Sequence, residues 1–113
     1  MKKTIVIKRR YEFKKLFSKG KFFYGKNITL YVLKNNFERN RLGIAVGKKS
    51  GKAVERNKIK RLIRENYKIS EECLKCGYDI LISVNKKCKI KEINFYDIKN
   101  DFEYLLKKAE MWV

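Results

Sequence analysis

Residues 42–84 constrain the fold more than any other part of the chain. Leu42, Ile44 and Val46 alternate with Gly43, Ala45 and Gly47, the two-residue period of a strand. The pattern returns in YDILISV, residues 78–84, with Tyr78, Ile80, Ile82 and Val84 on one face. Between these segments, residues 53–70 place Ile59, Leu62, Ile63 and Tyr67 on one stripe of a long helix. A strand–helix–strand unit of this length predicts parallel strands with the helix packed on their sheet. KKSGK, residues 48–52, is the basic, glycine-containing turn that leads into the helix.

The flanking segments complete a mixed fold. In RRYEFKKLFSK, residues 9–19, Phe13, Leu16 and Phe17 fall at i, i+3 and i+4, and Gly20 stops the helix. FFY, residues 22–24, reads as a short strand or an extended entry. NITLYVLKN, residues 27–35, alternates Ile28, Leu30 and Val32 against Thr29, Tyr31 and Leu33. With the polar turn 35–40, this strand and the one at 42–47 predict an antiparallel hairpin. A last helix is expected at 95–109, with Asn94 as N-cap, Asp97 at N3 and a core stripe of Phe95, Ile98, Phe102, Leu105 and Leu106. The chain has 113 residues, which suits one domain. The expected fold is α+β: a small single-domain sandwich, one central sheet with packed helices, in the order α-β-β-β-α-β-α.

Charge narrows the partners. The net charge is +18, and +16 of it lies in residues 1–26 and 48–68. Two basic blocks on a folded core point to a polyanion. Neither block carries a large apolar face beside its charges, so nucleic acid is favoured over membrane. No apolar stretch is long enough for a membrane span. The N-terminal apolar patch is four residues between charges, too short for a signal-peptide core, which predicts a cytoplasmic protein.

The chain has no His, which removes the commonest general acid–base residue and the nucleophile–His arrangements. Asp79, Asp97, Asp101 and Glu103 are the obvious acids for a metal nuclease, but the last three share one helix and Asp79 is alone on its strand. Cys73 and Cys76 form a C-x-x-C with Cys88 twelve residues on. Three thiols without His fall short of the four ligands zinc needs. A redox C-x-x-C opens a helix, whereas these cysteines lie at or past the end of one, before Gly77, so a structural or incidental role is expected. An odd thiol count argues against a disulfide framework and fits a reducing compartment.

The segment KKSGKAVERNKIKRLIRENY, residues 48–67, is the most informative. Lys60, Arg61, Arg64 and Lys68 fall within roughly 60° of Asn57 on a helical wheel, opposite the apolar stripe. Residues 52–68 span about 25 Å as a helix. A solvated basic face is the ordinary explanation. Here only Glu55 and Glu65 offset seven cations, and Lys60–Arg64 and Arg64–Lys68 are like-charge i, i+4 pairs, each costing about 0.2–0.5 kcal/mol. A chain that tolerates this field uses it.

KKSGKAVERNKIKRLIRE resembles the signature of the bacterial ribonuclease P protein subunit, roughly K-[KR]-x-G-x-A-V-x-R-N-x-x-K-R-x-x-R-E. The matching positions are Lys48, Lys49, Gly51, Ala53, Val54, Arg56, Asn57, Lys60, Arg61, Arg64 and Glu65. RRYEFKKLFSKGK resembles the family's first helix, with Phe13 and Phe17 at its aromatic positions, and YDILISV resembles its strand after the signature helix. Gly47 stands where family members commonly carry Ser, and C-L-K-C is outside the pattern.

The resemblance implies the small subunit of a ribonucleoprotein that removes the 5′ leader of precursor tRNA. It implies that catalysis belongs to the RNA subunit, with Mg²⁺ bound mainly by that RNA and the substrate, and that no residue of this chain is catalytic. It implies a left-handed crossover at the strand–helix–strand unit, against the generic right-handed rule. Carried over, RNA-subunit contact falls to Lys52, Arg56, Asn57, Lys60, Arg61 and Arg64, with Lys68 on the same stripe. A cleft for the single-stranded leader would be lined by Phe13, Phe17 and Tyr31, with Lys48 and Lys49 near its phosphates. Phe13 and Phe17 also read as plain core residues, and Phe22, Phe23 and Tyr24 stay open between core and RNA. The competing readings are a non-enzymatic RNA-binding module, such as a ribosomal or RNA-chaperone protein, and a carboxylate nuclease. DNA is disfavoured because no helix-turn-helix pattern precedes the basic helix.

Overall fold

In chain order the elements are β1 (Thr4–Val6), α1 (Arg10–Lys19), β2 (Lys21–Tyr24), β3 (Ile28–Lys34), β4 (Asn40–Ala45), α2 (Ala53–Ser70), β5 (Tyr78–Val84) and α3 (Phe95–Lys108). Single turns of 3-10 helix sit at Lys48–Ser50, Glu71–Cys73 and Ile90–Glu92. These come from a computed structural model of the chain, which describes residues 4–113. Lys2 and Lys3 of the first basic block lie outside the described residues.

The five strands form one sheet in the order β1-β4-β5-β3-β2. The strand–helix–strand unit forms as expected: β4 and β5 are parallel, with Leu42 opposite Ile80 and Ile44 opposite Ile82. The antiparallel hairpin of residues 27–35 with 42–47 does not form. β5 lies between these strands, antiparallel to β3 and with Ile82 opposite Leu30. The reason is burial. Ile80, Leu81 and Ile82 are fully buried, so β5 buries apolar side chains towards both faces and gains most from the centre of the sheet. β4 offers Arg41, Gly43 and Ala45 on one face and suits a position nearer the edge.

β1 is absent from the expected order. It pairs in parallel with β4, Thr4 opposite Asn40 and Val6 opposite Leu42. Three residues are too few to show a period. What holds the strand is a side-chain contact distant in sequence. The Thr4 hydroxyl donates to Glu71 (2.5 Å), leaving its oxygen to accept from the buried Tyr67 hydroxyl (2.7 Å).

Helices cover both faces of the sheet. α2 and α3 share one face, where Ile59, Ile63, Tyr67, Ile98, Phe102 and Leu105 pack on Leu30, Leu42, Ile80 and Ile82 in the main core. α1 alone covers part of the other face, where Leu16 packs with Ile7 and Leu81. The capping box of α3 forms as expected. The Asn94 side chain accepts from the Asp97 N–H, and the Asp97 carboxylate accepts from the Asn94 N–H, both at 2.9 Å.

One ion network ties α1 to the sheet. Arg41 donates to both carboxylate oxygens of Asp79 (2.7 and 2.6 Å) and also bonds Glu12 of α1. Asn35 adds a further donor to Asp79 (3.0 Å). Burial alone would raise the Asp79 pKa, but the hydrogen bonds from Arg41 and Asn35, with the Arg41 charge, outweigh it and hold the carboxyl below its ordinary value. The same bond to Asp79 raises the Arg41 pKa against its own desolvation. A depressed carboxyl stabilises the fold above the unfolded-state pKa, about 4, and that contribution is lost as pH falls through the folded value. Wild-type protein is therefore expected to lose stability steeply below about pH 4 in urea titrations, and Asp79→Asn to lose less over the same window. Arg41→Ala, which leaves a buried carboxylate unpaired, is expected to cost about 3 kcal/mol at pH 7.

Candidate nucleic-acid interface

The strand register lays two rows of side chains across the face that carries α1. Phe22, Tyr31, Leu81 and Gly43 stand directly opposite one another on β2, β3, β5 and β4. Two residues along, Tyr24, Thr29, Ser83 and Ala45 form the next row. α1 lies over the first row from Gly43 to Tyr31 and leaves Phe22 exposed. Its Leu16 meets Leu81, and its Phe13 sits over Gly43, where an added Cβ would lie about 3.0 Å from the ring. The helix leaves the second row open.

That row is the floor of a groove of about 820 Å³. Phe17, 45% exposed, makes an edge-to-face pair with Tyr31 at 5.0 Å between ring centres and forms one wall. Gly47, Ser50 and Lys60 close one end, and Lys86 and Lys87, in the turn after β5, line another side. Two polar groups of the groove are already engaged. Thr29 donates its hydroxyl to Asn85 (2.6 Å), and Asn85 donates to the carbonyls of Gly25 (2.8 Å) and Lys26 (3.3 Å). The groove offers aromatic faces and ammonium groups more than free base-reading donors.

The structure sorts the sequence-predicted residues unevenly. Phe17 and Tyr31 meet in the groove. Phe13 does not line it; it is half-buried and faces a smaller adjoining cavity of about 110 Å³ with Ile7, Lys60 and Arg64. Lys48 and Lys49 do not line the groove either, but stand exposed on the turn whose neighbours Gly47 and Ser50 do. On α2, Lys52, Asn57, Arg61, Arg64 and Lys68 are exposed, and Arg61 makes a loose ion pair with Glu65 (3.7 Å). Arg56 turns back to donate to the Gly51 carbonyl (3.2 Å), and Glu55 accepts from the Lys52 N–H (2.9 Å), so the signature turn is pinned to the start of the helix. Lys60 lines both cavities. The cationic face of α2 and the aromatic groove are thus one continuous surface that wraps the edge of β4, which β1 pairs only as far as Leu42.

Three of the four candidate acids are used in the fold, and Glu103 is exposed on α3. Asp79 is held by Arg41, Asp97 caps α3, and Asp101 accepts from the N–H groups of Asn27 (2.6 Å) and Ile28 (3.2 Å). Among the described residues no group of three His, Cys, Asp or Glu could hold a metal ion. Cys73 and Cys76 are exposed beyond the end of α2, and the half-buried Cys88 thiol is raised in pKa, by burial first and then by Asp101. No helix among the described residues is long and apolar enough to cross a membrane.

A family model described as Ribonuclease P matches residues 1–110. The chain belongs to the ribonuclease P protein family. The Ribonuclease P protein component of Clostridium botulinum (strain 657) is 39% identical over 107 residues, spanning 94% of this chain and 95% of that protein. That of Thermoanaerobacter pseudethanolicus is 36% identical over 111 residues, spanning 98% and 94%. The RNase P protein of Staphylococcus aureus, solved at 2.0 Å, superposes with a TM-score of 0.84 at 34% identity over 96% of this chain and 97% of that one. The RNase P protein of Thermotoga maritima gives 0.81 at 31% identity over 90% and 94%.

For this family member, sequence reasoning missed Lys86, Lys87 and Asn85 as groove residues and left Tyr24 open. The two lysines carry no periodic signal, because they reach the groove only through the turn that follows β5. Tyr24 became assignable only once its register with Thr29 was known. Gly43 admits the Phe13 ring, so Gly43→Ala should overpack that contact and destabilise the protein by about 1 kcal/mol in chemical denaturation. In a Phe13→Ala background the same change should cost nothing; additive effects in the double-mutant cycle would show that the ring and Gly43 are not coupled.

Proposed function

We propose that this chain is the protein component of a ribonuclease P ribonucleoprotein, working in the cytoplasm on the 5′ leader of precursor tRNA. The RNA subunit carries the catalytic centre and the Mg²⁺ ions. This chain supplies binding: the α2 face and its turn, through Lys52, Arg56, Asn57, Lys60, Arg61, Arg64 and Lys68, hold the RNA subunit. The groove takes the single-stranded leader on Phe17 and Tyr31. Phe13 sets the pose of α1 and borders the path from the adjoining cavity, while Lys48 and Lys49 sit near the leader phosphates.

The observation that carries this reading is the junction at Lys60, where a cationic helix face runs into an aromatic groove. One partner held by charge and another held by stacking would there be side by side, as a subunit that joins a substrate's loose end to a catalytic RNA requires. Stacking on aromatic rings is worth about 1–3 kcal/mol per base and tolerates any base. Asp79, Asp97 and Asp101 are each engaged in the fold, which disfavours the competing carboxylate nuclease.

The test is precursor-tRNA cleavage at low Mg²⁺ with protein alone, cognate RNA alone and both together. Efficient cutting at the mature 5′ end only in the mixture is expected. Cutting by the protein alone would revive a carboxylate nuclease, and no effect of added protein would favour a different RNA partner. The division of labour has its own check. Arg61→Ala should flatten the slope of log affinity against log salt for the RNA subunit by about one unit. Phe17→Ala should weaken precursor binding while leaving affinity for the RNA subunit unchanged. A large loss of RNA-subunit affinity in Phe17→Ala would merge the two surfaces into one.

A further inference from the structure

Strand β2 carries aromatic side chains that the core does not use. Its residues alternate strictly. Lys21 and Phe23 turn to the α3 side, where Phe23 packs on the main core and Lys21 lies over its ring at 5.7 Å. Phe22 and Tyr24 turn to the groove side and remain 63% and 67% exposed. Nothing among the described residues covers them. An edge strand that displays two large aromatic rings is a liability for self-association unless the rings have work to do.

Their placement says what the work is. Phe22 stands opposite Tyr31 with ring centres 6.1 Å apart, and Tyr31 in turn pairs with Phe17 at 5.0 Å. Phe17, Tyr31 and Phe22 therefore form a row of rings leading out of the groove towards the sheet edge. Tyr24 stands in the adjacent row and lines the groove itself. Cations accompany the rings: Lys86 and Lys87 line the groove, and Lys26 is exposed just beyond the end of β2. Aromatic faces interleaved with flexible ammonium groups on an open sheet are the chemistry of a single-stranded nucleic acid platform.

We propose that the single-strand site continues past Tyr31 onto β2, where Phe22 and Tyr24 stack bases of the leader that lie beyond those held at Phe17 and Tyr31. The proposal rests on the leader-binding reading above and extends it. The outer rings act as a second stacking station, engaged only by leaders long enough to cross β3. Longer leaders then bind more tightly without any change in sequence preference.

The experiment uses the reconstituted holoenzyme and a series of precursor tRNAs whose leaders lengthen one nucleotide at a time. Affinity is read as the half-saturating holoenzyme concentration in single-turnover cleavage. For wild-type protein, affinity should rise with leader length and then level off. For the Phe22→Ala/Tyr24→Ala double variant the rise should stop about two nucleotides earlier, leaving long-leader precursors bound at least about fivefold more weakly. Phe22→Tyr should restore the wild-type profile and Phe22→Leu should not, since only the former keeps an aromatic face. A double variant that matches wild type at every length overturns the proposal. So does a loss that is equal at all lengths, which would reflect damage to the fold. Phe17→Ala separates this from the parent reading: a deficit at short leaders upholds the groove as the leader site, and no deficit at any length overturns that reading and this extension together.

Discussion

Burial of β5 on both faces is the constraint from which the rest of the structure follows. Ile80 and Ile82 are sealed under α2 and α3, and Leu81 is sealed under α1. A strand buried on both faces belongs at the centre, and its centrality separates β3 from β4 and sets the register of both. That register aligns Tyr31 with Leu81 and Thr29 with Ser83. Ser83 is half-exposed because the helix above ends its cover one row earlier. The groove is the part of the sheet beside α1, which crosses the strands along one row, from Gly43 under Phe13 through Leu81 under Leu16 to Tyr31 beside Phe17.

Fixing α1 over that sheet needs more than the apolar contact at Leu16. The helix has ten residues, short for independent stability, and it is strongly basic. Glu12 offers its carboxylate to Arg41, which is already held by Asp79 from the central strand. The helix is thus tied to the most buried strand by a chain of charge-assisted bonds. The tie holds in place the helix whose Phe17 forms one wall of the groove. The same logic applies at α2, where the Glu55 and Arg56 bonds hold the signature turn against the helix start. In both places the few acidic residues of a very basic chain are spent on geometry, and the cations are left to face outward.

The elements with a long period were legible in the sequence. α2 and β5 form over the residues their patterns mark, and the Asn94–Asp97 cap of α3 forms as its residue types suggest. The signature from Lys48 to Glu65 identified the family because many residue types recur there at fixed spacing. What was not legible depends on neighbours distant in sequence. β1 exists through Thr4 meeting Tyr67 and Glu71. The order of the strands depended on comparing burial across three of them, and a hairpin is the natural local inference when two strands follow one another. Phe13 and Phe17 share one helix face in the sequence, yet Gly43 draws one ring down onto the sheet while the other stays beside Tyr31. The cavity shared by Lys60 and Arg64 is a tertiary fact of the same kind.

The hydrogen bonding of the groove bears on what this surface can discriminate. Rejection of a wrong base requires a buried donor or acceptor that the wrong base leaves unpaired. Thr29 and Asn85 are the polar side chains best placed for that, and both are satisfied within the protein. Ring faces, lysine ammonium groups and the groove-lining hydroxyls of Ser50 and Ser83 remain, and every base has a π-face and every nucleotide a phosphate. On the proposed function, affinity for a leader is then set by how many rings it reaches and how many phosphates it brings, and base identity enters weakly. Choice of the cleavage site has to come from the folded part of the substrate and from the RNA subunit, while this chain holds the strand that varies from one substrate to the next. On that reading, a protein that serves many precursors gains from a site that recognises single-strandedness and length, and the internal bonding of Thr29 and Asn85 limits the base preference the groove can express.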